Sequence, residues 1–594
     1  MAEQPLLNAA LPPLGRELSC LALLTLVVFC LAHFQGLVSP YAVNDDVRQQ
    51  IFWMQQWSDQ GLYPDDWLTD YAQRYVPLGV KALYRLADLV IHPLAFSKVL
   101  TAALFVSLGL CFHRLGEAMG GRQLGRAALI VFWFSPFFLH NMSGGLARSF
   151  AGPLLALFLL GWVKNSARIV GLAIVLQSLF IPYICVLSVA ALASVWLLWK
   201  CGKSHPPPLP QRATHFAIIG LVTALVLFYN FQLQGSGYGP MTTAADMAGH
   251  AEYSAQGRFP VFPAPSLLFE IFVRPFDRFA VLLPENALPR ILSLLLLGST
   301  ILLSARRADW GAFNRHRRPF LALVAASLAL YVLARIFVAR LFIPSRYLEY
   351  TTAICYTLAF ALCLASALDR LGSLRPSAWA WLVLVATALL AGLGLKNVSL
   401  YDYGADFPLY EAVQQLPKDV LLAGHPFLMD NVLTFGRRKV FLSYELVHPW
   451  SKGLWAKQSP RLEHLFQAYY AKDSATVLDF CRTYAIDFLV VDDRHFETEF
   501  IDNTPQTGLL CSVLDLPGPL KKLCSRLAPE LKVVYETQYS ATFPDAPPFF
   551  EPFRTQIQSL ARPASSAPRF ALLQDFPSQR IGTHIQLIDV RSLR

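Results

Sequence analysis

A series of long apolar runs recurs between Leu18 and about Leu395 and then stops, and this most constrains the chain. A helix needs roughly 20 apolar residues to cross the hydrocarbon of a bilayer. Only helices and closed barrels satisfy their backbone polar groups within lipid. Runs of this length therefore predict spanning helices. About eleven are expected at the usual span length. They are centred on Leu18–Val38, Pro93–Phe112, Ala127–Leu139, Phe150–Val163, Val170–Ile181, Cys185–Trp199, Phe216–Phe231, Ile291–Ser304, Phe320–Phe337, Leu348–Ala365 and Trp379–Leu395. The third to sixth are short, and Pro136, Pro153 and Pro182 mark expected breaks. The first run lacks a small-x-small cleavage site and further spans follow it, so it reads as retained.

Composition agrees with this division. The chain is 55% hydrophobic and 15% charged, where a soluble domain carries about a quarter charged residues. Its net charge of +10 does not point to nucleic acid. There is no zinc-finger spacing and no basic helix with base-stacking aromatics. The basic residues sit in short connections between apolar runs: Arg114, Arg122 and Arg126; Lys164 and Arg168; Lys200, Lys203 and Arg212; Arg306, Arg307, Arg315, Arg317 and Arg318; Arg370 and Arg375. If the N-terminus is cytoplasmic and the runs alternate, all of these face the cytoplasm, as the positive-inside bias requires. The same alternation places the loop 39–92, the loop 232–289 and everything after residue 395 outside. No internal repeat is visible, which weakens a transporter reading built on inverted repeats.

The expected architecture is thus a polytopic α-helical membrane domain, residues 1–395, and an extracytoplasmic α/β domain, residues 396–594. In the second, "DVLLAGHP" (Asp419–Pro426), "KVFLSY" (Lys439–Tyr444) and "IDFLVVDD" (Ile486–Asp493) read as buried strands. "RLEHLFQAYYA" (Arg461–Ala471) and "ATVLDFCRTYA" (Ala475–Ala485) have helical periodicity. No glycine-rich phosphate loop follows a strand. Six cysteines lie in apolar runs, where the thiol acts as a small hydrophobe. Cys511 and Cys524 are a candidate disulfide if their compartment is oxidising.

Immediately after the first span comes "SPYAVNDDVRQQIFWMQQW" (Ser39–Trp57), with Asp45 and Asp46 adjacent. Beyond them Val47, Ile51, Met54 and Trp57 form one helical arc, with Arg48, Gln49, Gln55 and Gln56 opposite. That pattern predicts an amphipathic helix in the membrane interface, where tryptophan is favoured. Two readings of the acidic pair stay open. Asn44 and Asp45 suit an N-cap with an acidic first turn; a helix N-terminus also holds a carboxylate rigidly, as a catalytic base requires.

The layout resembles the GT-C superfamily of membrane glycosyltransferases, which includes protein O-mannosyltransferases, the lipid A aminoarabinose transferase and oligosaccharyltransferase subunits. The resemblance lies in an N-in first span, the acidic "NDD" (Asn44–Asp46) in the first outer loop, the juxtamembrane stretch that follows, "GLYPDDWLTDYAQRYVPLGVKALYRL" (Gly61–Leu86), and the outer C-terminal domain. It implies transfer of a sugar from a polyprenyl-phosphate-linked donor to an acceptor hydroxyl of a glycan, lipid or protein. It further implies cell-envelope glycan or glycolipid synthesis on the extracytoplasmic face of a bacterial inner membrane. By this resemblance Asp46 or Asp45 is the base, Asp46 first, and a divalent cation is left open.

A departing phosphate needs preorganised cations, preferably arginine. "LARIFVARLFIPSRYLEY" (Leu333–Tyr350) supplies Arg335, Arg340 and Arg346, of which Arg346 in "PSRY" is the first choice. Snorkelling to headgroups is the alternative. "HNMSGGLARSF" (His140–Phe150) offers His140 and Arg148. Asp66, with Arg74 as a pairing cation, is a candidate acceptor contact, although acidic residues after Pro64 also suit a solvated turn. Two other classes of function stay open: a flippase or transporter of lipid-linked saccharides, and a non-enzymatic envelope assembly protein.

Overall fold

In the computed structural model the described residues are 14–202, 219–228, 237–247, 302–371 except 307, 338–340 and 342, 378–496 except 472, then 506–509, 532–535 and 573–593, with isolated positions between. Cys511, Cys524 and Arg340 fall outside them, as do most of the loop 232–289 and of the run Ile291–Ser304.

Among the described residues, five helices are long and apolar enough to cross a membrane: Gly15–Ala32, Pro93–Trp133, Pro182–Lys200, Arg317–Ile336 and Ser345–Leu368. Shorter apolar helices cover Ala147–Val163, Ala167–Phe180, Ile219–Phe228 and Trp381–Gly394. The chain is read as an integral membrane protein on this ground. The segment Pro93–Trp133 is two helices, reversed at Gly120 and Gly121, the latter at φ +83°. The two legs touch through glycine: a Cβ on Gly116 would stand 2.7 Å from the Leu124 carbonyl oxygen, and one on Gly125 2.7 Å from that of His113. The expected break at Pro136 is real, since the helix stops at Trp133 and another starts at Pro136.

Two of the basic connection residues, Arg122 and Arg126, meet the start of the first helix at one end of this bundle. The Glu17 carboxylate, fully buried at the start of the first helix, accepts from Arg126 at 2.8 and 3.0 Å and lies 3.9 Å from Arg122. Arg126 in turn lies over the Trp381 ring. Leu14–Ala32 has 19 residues, and at 1.5 Å per residue this first helix is about 28 Å long.

The opposite end carries the polar segments. β1 (Ala42–Val43) pairs antiparallel with β2 (Tyr401–Asp402), so the loop after the first helix is stitched to the segment after the last. Beyond it lies a five-stranded mixed sheet. β3 (Leu421–Gly424) runs parallel to both β4 (Lys439–Val440) and β5 (Phe488–Asp492). With β6 (Gln506–Leu509) and β7 (Lys532–Tyr535) forming a separate antiparallel pair, β8 (Ser578–Ile581) and β9 (Ile585–Asp589) complete the sheet in the order β4-β3-β5-β9-β8. Every residue of β5 is buried, as a strand covered on both faces requires. Helices Lys452–Tyr469 and Ser474–Tyr484 lie between β4 and β5 in the chain.

One apolar core runs from the bundle through Val47, Ile51, Phe52 and Met54 into Leu409, Tyr410 and Leu422. The described part of the second long loop joins the same end. Thr242 N–H donates to the Trp450 carbonyl oxygen at 2.9 Å, and the Tyr238 hydroxyl donates to Asp70 at 2.6 Å.

Candidate active site

The acidic pair is held by a short, buried hydrogen-bond frame. Asn44 Nδ2 donates to the Ser399 carbonyl oxygen at 3.2 Å, and Ser143 Oγ donates to the same oxygen at 3.0 Å. His33 Nε2 lies 3.2 Å from Ser143 Oγ, while His140 Nδ1 is bonded to the Ser399 hydroxyl. Three segments far apart in the chain therefore meet at Asn44. The turn Ser143–Gly144–Gly145 makes the approach feasible. Gly144 has φ +90°, and a Cβ there would sit 3.0 Å from Val47 Cγ2 and 3.1 Å from Asn44 Cβ. Gly145 has φ +61°, with the Ser97 carbonyl oxygen 2.7 Å from where a Cβ would lie. Only glycine takes such backbone without strain.

Within this frame the two carboxylates have different surroundings. Asp46 forms an ion pair with Arg148 Nη1, and Arg148 Nη2 donates to Asn44 Oδ1 at 3.0 Å. The Asp46 N–H donates to Asn44 Oδ1 at 3.2 Å and to Asp45 Oδ1 at 3.0 Å. Asp46 occupies the N-cap position of the helix Val47–Gln50, yet its side chain makes no capping bond. Its carboxylate is committed to Arg148 instead, while the side chains of Asn44 and Asp45, the two expected cap residues, both accept from the Asp46 N–H at the start of this helix. Asp45 has no ion pair among the described contacts. Burial, followed by the negative charge of Asp46, pushes its pKa up to about 6, against the pull of Arg148 and Arg48. A carboxyl poised near neutrality is what a general base needs.

The predicted interfacial helix is different in the structure. It is a four-residue helix, Val47–Gln50, followed by a tighter 3-10 turn, Phe52–Trp57. Both faces are covered. Arg48 is 7% exposed and Gln55 1%, because the C-terminal region packs on the arc that the sequence pattern assigned to water. Arg48 donates to Asn431 Oδ1 at 2.9 Å, lies 3.7 Å from Asp430 and 3.5 Å from Glu445, and covers the Tyr403 ring at 4.0 Å. Gln49 Nε2 donates to the Glu445 carbonyl oxygen at 2.6 Å and Gln55 Nε2 to that of Thr434 at 2.9 Å.

Arg346 belongs to the same locality. Its Nη1 donates to Asn141 Oδ1 at 3.0 Å and to Glu349 Oε1 at 2.7 Å, and the Tyr350 hydroxyl donates to the same Asn141 oxygen at 3.2 Å. Asn141 and Arg148 are on one short segment, and the charge of Arg148 reaches Tyr350. Arg346 and Tyr350 thus share an oxygen of Asn141, seven residues before Arg148.

The other sequence candidates are held elsewhere. Asp66 is buried and caps the helix Trp67–Tyr75, accepting from Thr69 N–H at 3.0 Å and Thr69 Oγ1 at 2.7 Å. It is a structural cap and not the solvated turn residue of the sequence reading. Arg74 pairs with Asp70 at 3.0 Å and lies over the Tyr238 ring. Arg335 lies over Tyr331, 5.6 Å from its centroid. Asp66 and Asp70 line an open cavity of about 300 Å³ with Gln56, Tyr63 and Trp67. The sequence reading missed Arg48, Asn141 and Glu349. The spacing of Arg346 and Glu349, one helical turn, was the available signal for the last of these.

A divalent cation needs several oxygen or nitrogen donors converging on one point. Among the described residues no group of three or more His, Cys, Asp or Glu side chains could hold one. Asn44 Oδ1 and the Asp46 carboxylate, the nearest donors to Asp45, already accept from Arg148. The described residues around the acidic pair do not fit a metal ion.

No protein-family model matches the sequence, and no curated protein does. Solved structures do. The chain is similar to the oligosaccharyltransferase AglB of Archaeoglobus fulgidus, solved in complex with an inhibitory peptide and a dolichol-phosphate, with TM-score 0.47 and 13% identity over 82% of this chain and 70% of that one. Another structure of that oligosaccharyltransferase, in complex with Zn and sulfate, gives TM-score 0.46 and 13% identity over 82% and 69%. ArnT of Cupriavidus metallidurans, bound to undecaprenyl phosphate, gives 0.47 and 12% over 84% and 96%. The roles of individual residues rest on the geometry above.

Proposed function

We propose that the chain is an inverting membrane glycosyltransferase that moves a sugar from a polyprenyl-phosphate-linked donor to an acceptor hydroxyl. Asp45 is the general base. The observation that carries this reading is the contrast between the two adjacent carboxylates: Asp46 neutralised by Arg148, Asp45 unpaired and raised to about 6. Adjacent carboxylates held in different surroundings are suited to divided roles. This reverses the order in which the resemblance ranks the two.

In the proposed step the acceptor oxygen attacks the anomeric carbon as Asp45 takes its proton. The bond from that carbon to the phosphate oxygen breaks, and the electron pair leaves on the phosphate. Arg346, held by Glu349 and Asn141, is the cation placed to receive it. A single displacement inverts the anomeric carbon. In this proposal the acidic end lies outside the cytoplasm, since Arg122 and Arg126 of a short basic connection lie at the other end of the first helix. A bacterial inner membrane, hexosyl or pentosyl transfer and a role in envelope glycan synthesis belong to the same proposal.

The test is turnover by the purified full chain in nanodiscs, with polyprenyl-phosphate sugars and a hydroxyl acceptor. Transfer by wild type that is lost in Asp45→Asn supports the reading. Wild-type rates in that variant would refute it.

A further inference from the structure

We infer that Arg148 is the built-in counter-cation of the acidic pair, standing where a divalent ion would otherwise bridge carboxylate and donor phosphate, so that transfer requires no metal. This rests on the proposed function and names how the same site is charged.

Three observations lead to it. First, the guanidinium occupies the position of a bridging cation: Nη1 on Asp46, Nη2 on Asn44 Oδ1 at 3.0 Å. Those are the two oxygen-bearing groups next to Asp45, and binding a metal there would first require expelling a covalently attached positive charge. Second, the guanidinium is only partly used. It has five N–H donors, of which these bonds take two, and its Nε is buried without a partner. The planar fork still has donors for a phosphate while it holds the carboxylate. Third, its backbone is fixed. Arg148 lies on the short 3-10 turn Ala147–Phe150, closed by Ser149 Oγ accepting from Leu146 N–H at 2.8 Å. The turn follows Gly144 and Gly145, whose positive φ sets it against Asn44. A preorganised cation of this kind stabilises charge developing on a leaving group without reorganisation at the moment of reaction.

The position also explains a division of labour. Arg346 has its carboxylate partner, Glu349, in the same helix, whereas the partner of Arg148 is the reaction centre itself. When donor phosphate arrives, Arg148 can satisfy Asp46 and phosphate together, linking departure of the leaving group to the charge beside the base.

The experiment uses the full chain in nanodiscs, purified without chelator. Metal content is measured by mass spectrometry, manganese binding by electron paramagnetic resonance, and transfer from polyprenyl-phosphate sugars with and without EDTA. The expected result is substoichiometric metal, no tight manganese binding and transfer unchanged by EDTA. Arg148→Ala should lose transfer by about 10²-fold, the usual cost of removing one preorganised donor. Its residual activity should have an acid limb moved to higher pH, because a charge that lowers the Asp45 pKa is gone; a merely structural residue would not move that limb. Arg148→Lys retains charge without the fork and should fall between. One equivalent of bound divalent metal in wild type, or transfer abolished by EDTA and restored by manganese, would overturn the inference. So would wild-type transfer by Arg148→Ala. If wild type transfers no sugar under any condition, the proposed function fails, and the metal measurements still decide whether this site takes an ion.

Discussion

Arg48 donates to Asn431 at 2.9 Å across 383 positions of sequence. It emerges two residues after Asp46 and carries the C-terminal region on its guanidinium, with Tyr403 stacked beneath at 4.0 Å. The acidic pair and the arginine that docks the C-terminal region therefore stand within one turn of each other, at the start of one short helix.

Arg48→Met tests that connection. It leaves Asp430 and Glu445 buried with a cationic partner removed, and breaking a buried pair from one side costs about 3–5 kcal/mol. The expected outcome is a lower apparent Tm in detergent and new sites of limited proteolysis between residues 396 and 440. Arg48→Lys should restore only part of the loss, since it keeps charge but not the planar contact with Tyr403.

The pH dependence of transfer should follow Asp45. A base must be deprotonated, so the rate is expected to fall as pH drops through about 6 and to be flat just above it. A rate that persisted unchanged to pH 4.5 would remove Asp45 from the role of base.

Stability has the opposite sign at the same residue. The folded state raises the Asp45 pKa above its ordinary value near 3.8, so between those two values the folded state binds more protons than the unfolded one. Stability then declines as pH rises through this window, and the cost of ionisation is fully present above it. Asp45→Asn should abolish transfer and still raise the apparent Tm at neutral pH. The expected gain is about 2 kcal/mol, less than the roughly 3 that two pKa units convert to, because water screens a partly covered group. A variant that lost both activity and stability would show a structural carboxylate.

Gly145→Ala should destabilise more than Gly144→Ala. Both need positive φ, but the new Cβ at residue 145 meets the backbone oxygen of Ser97 at 2.7 Å, and a backbone atom cannot turn aside. A loss of about 2 kcal/mol or more is expected for Gly145→Ala, read as apparent Tm, with transfer falling as Arg148 is displaced.

Asn141→Ala should weaken donor use more than acceptor use. It removes the oxygen shared by Arg346 and Tyr350, leaving Arg346 turned toward Glu349. A rise in KM for the polyprenyl donor of about tenfold, with acceptor KM near wild type, is the expected split.

The sequence alone determined which stretches are apolar enough for a membrane, where two of the three expected proline breaks fall, with helices restarting at Pro136 and Pro182 though not at Pro153, and that two carboxylates stand together after the first helix. Those features are local: they depend on run length, on proline's missing N–H and on adjacency in the chain. The roles of those carboxylates were not local. Asp45 and Asp46 are the same residue type at neighbouring positions, and what separates them is Arg148, 102 residues away, brought in by two glycines whose positive φ no hydrophobic pattern records. Likewise the arc of Arg48, Gln49 and Gln55 satisfies a solvent-facing pattern, because periodicity sorts polar from apolar without saying whether water or another part of the chain will meet the polar side. Only the tertiary structure decided that, since a buried charge is tolerated when it is paired or hydrogen-bonded, and the partners of Arg48 come from more than 350 positions away in the chain.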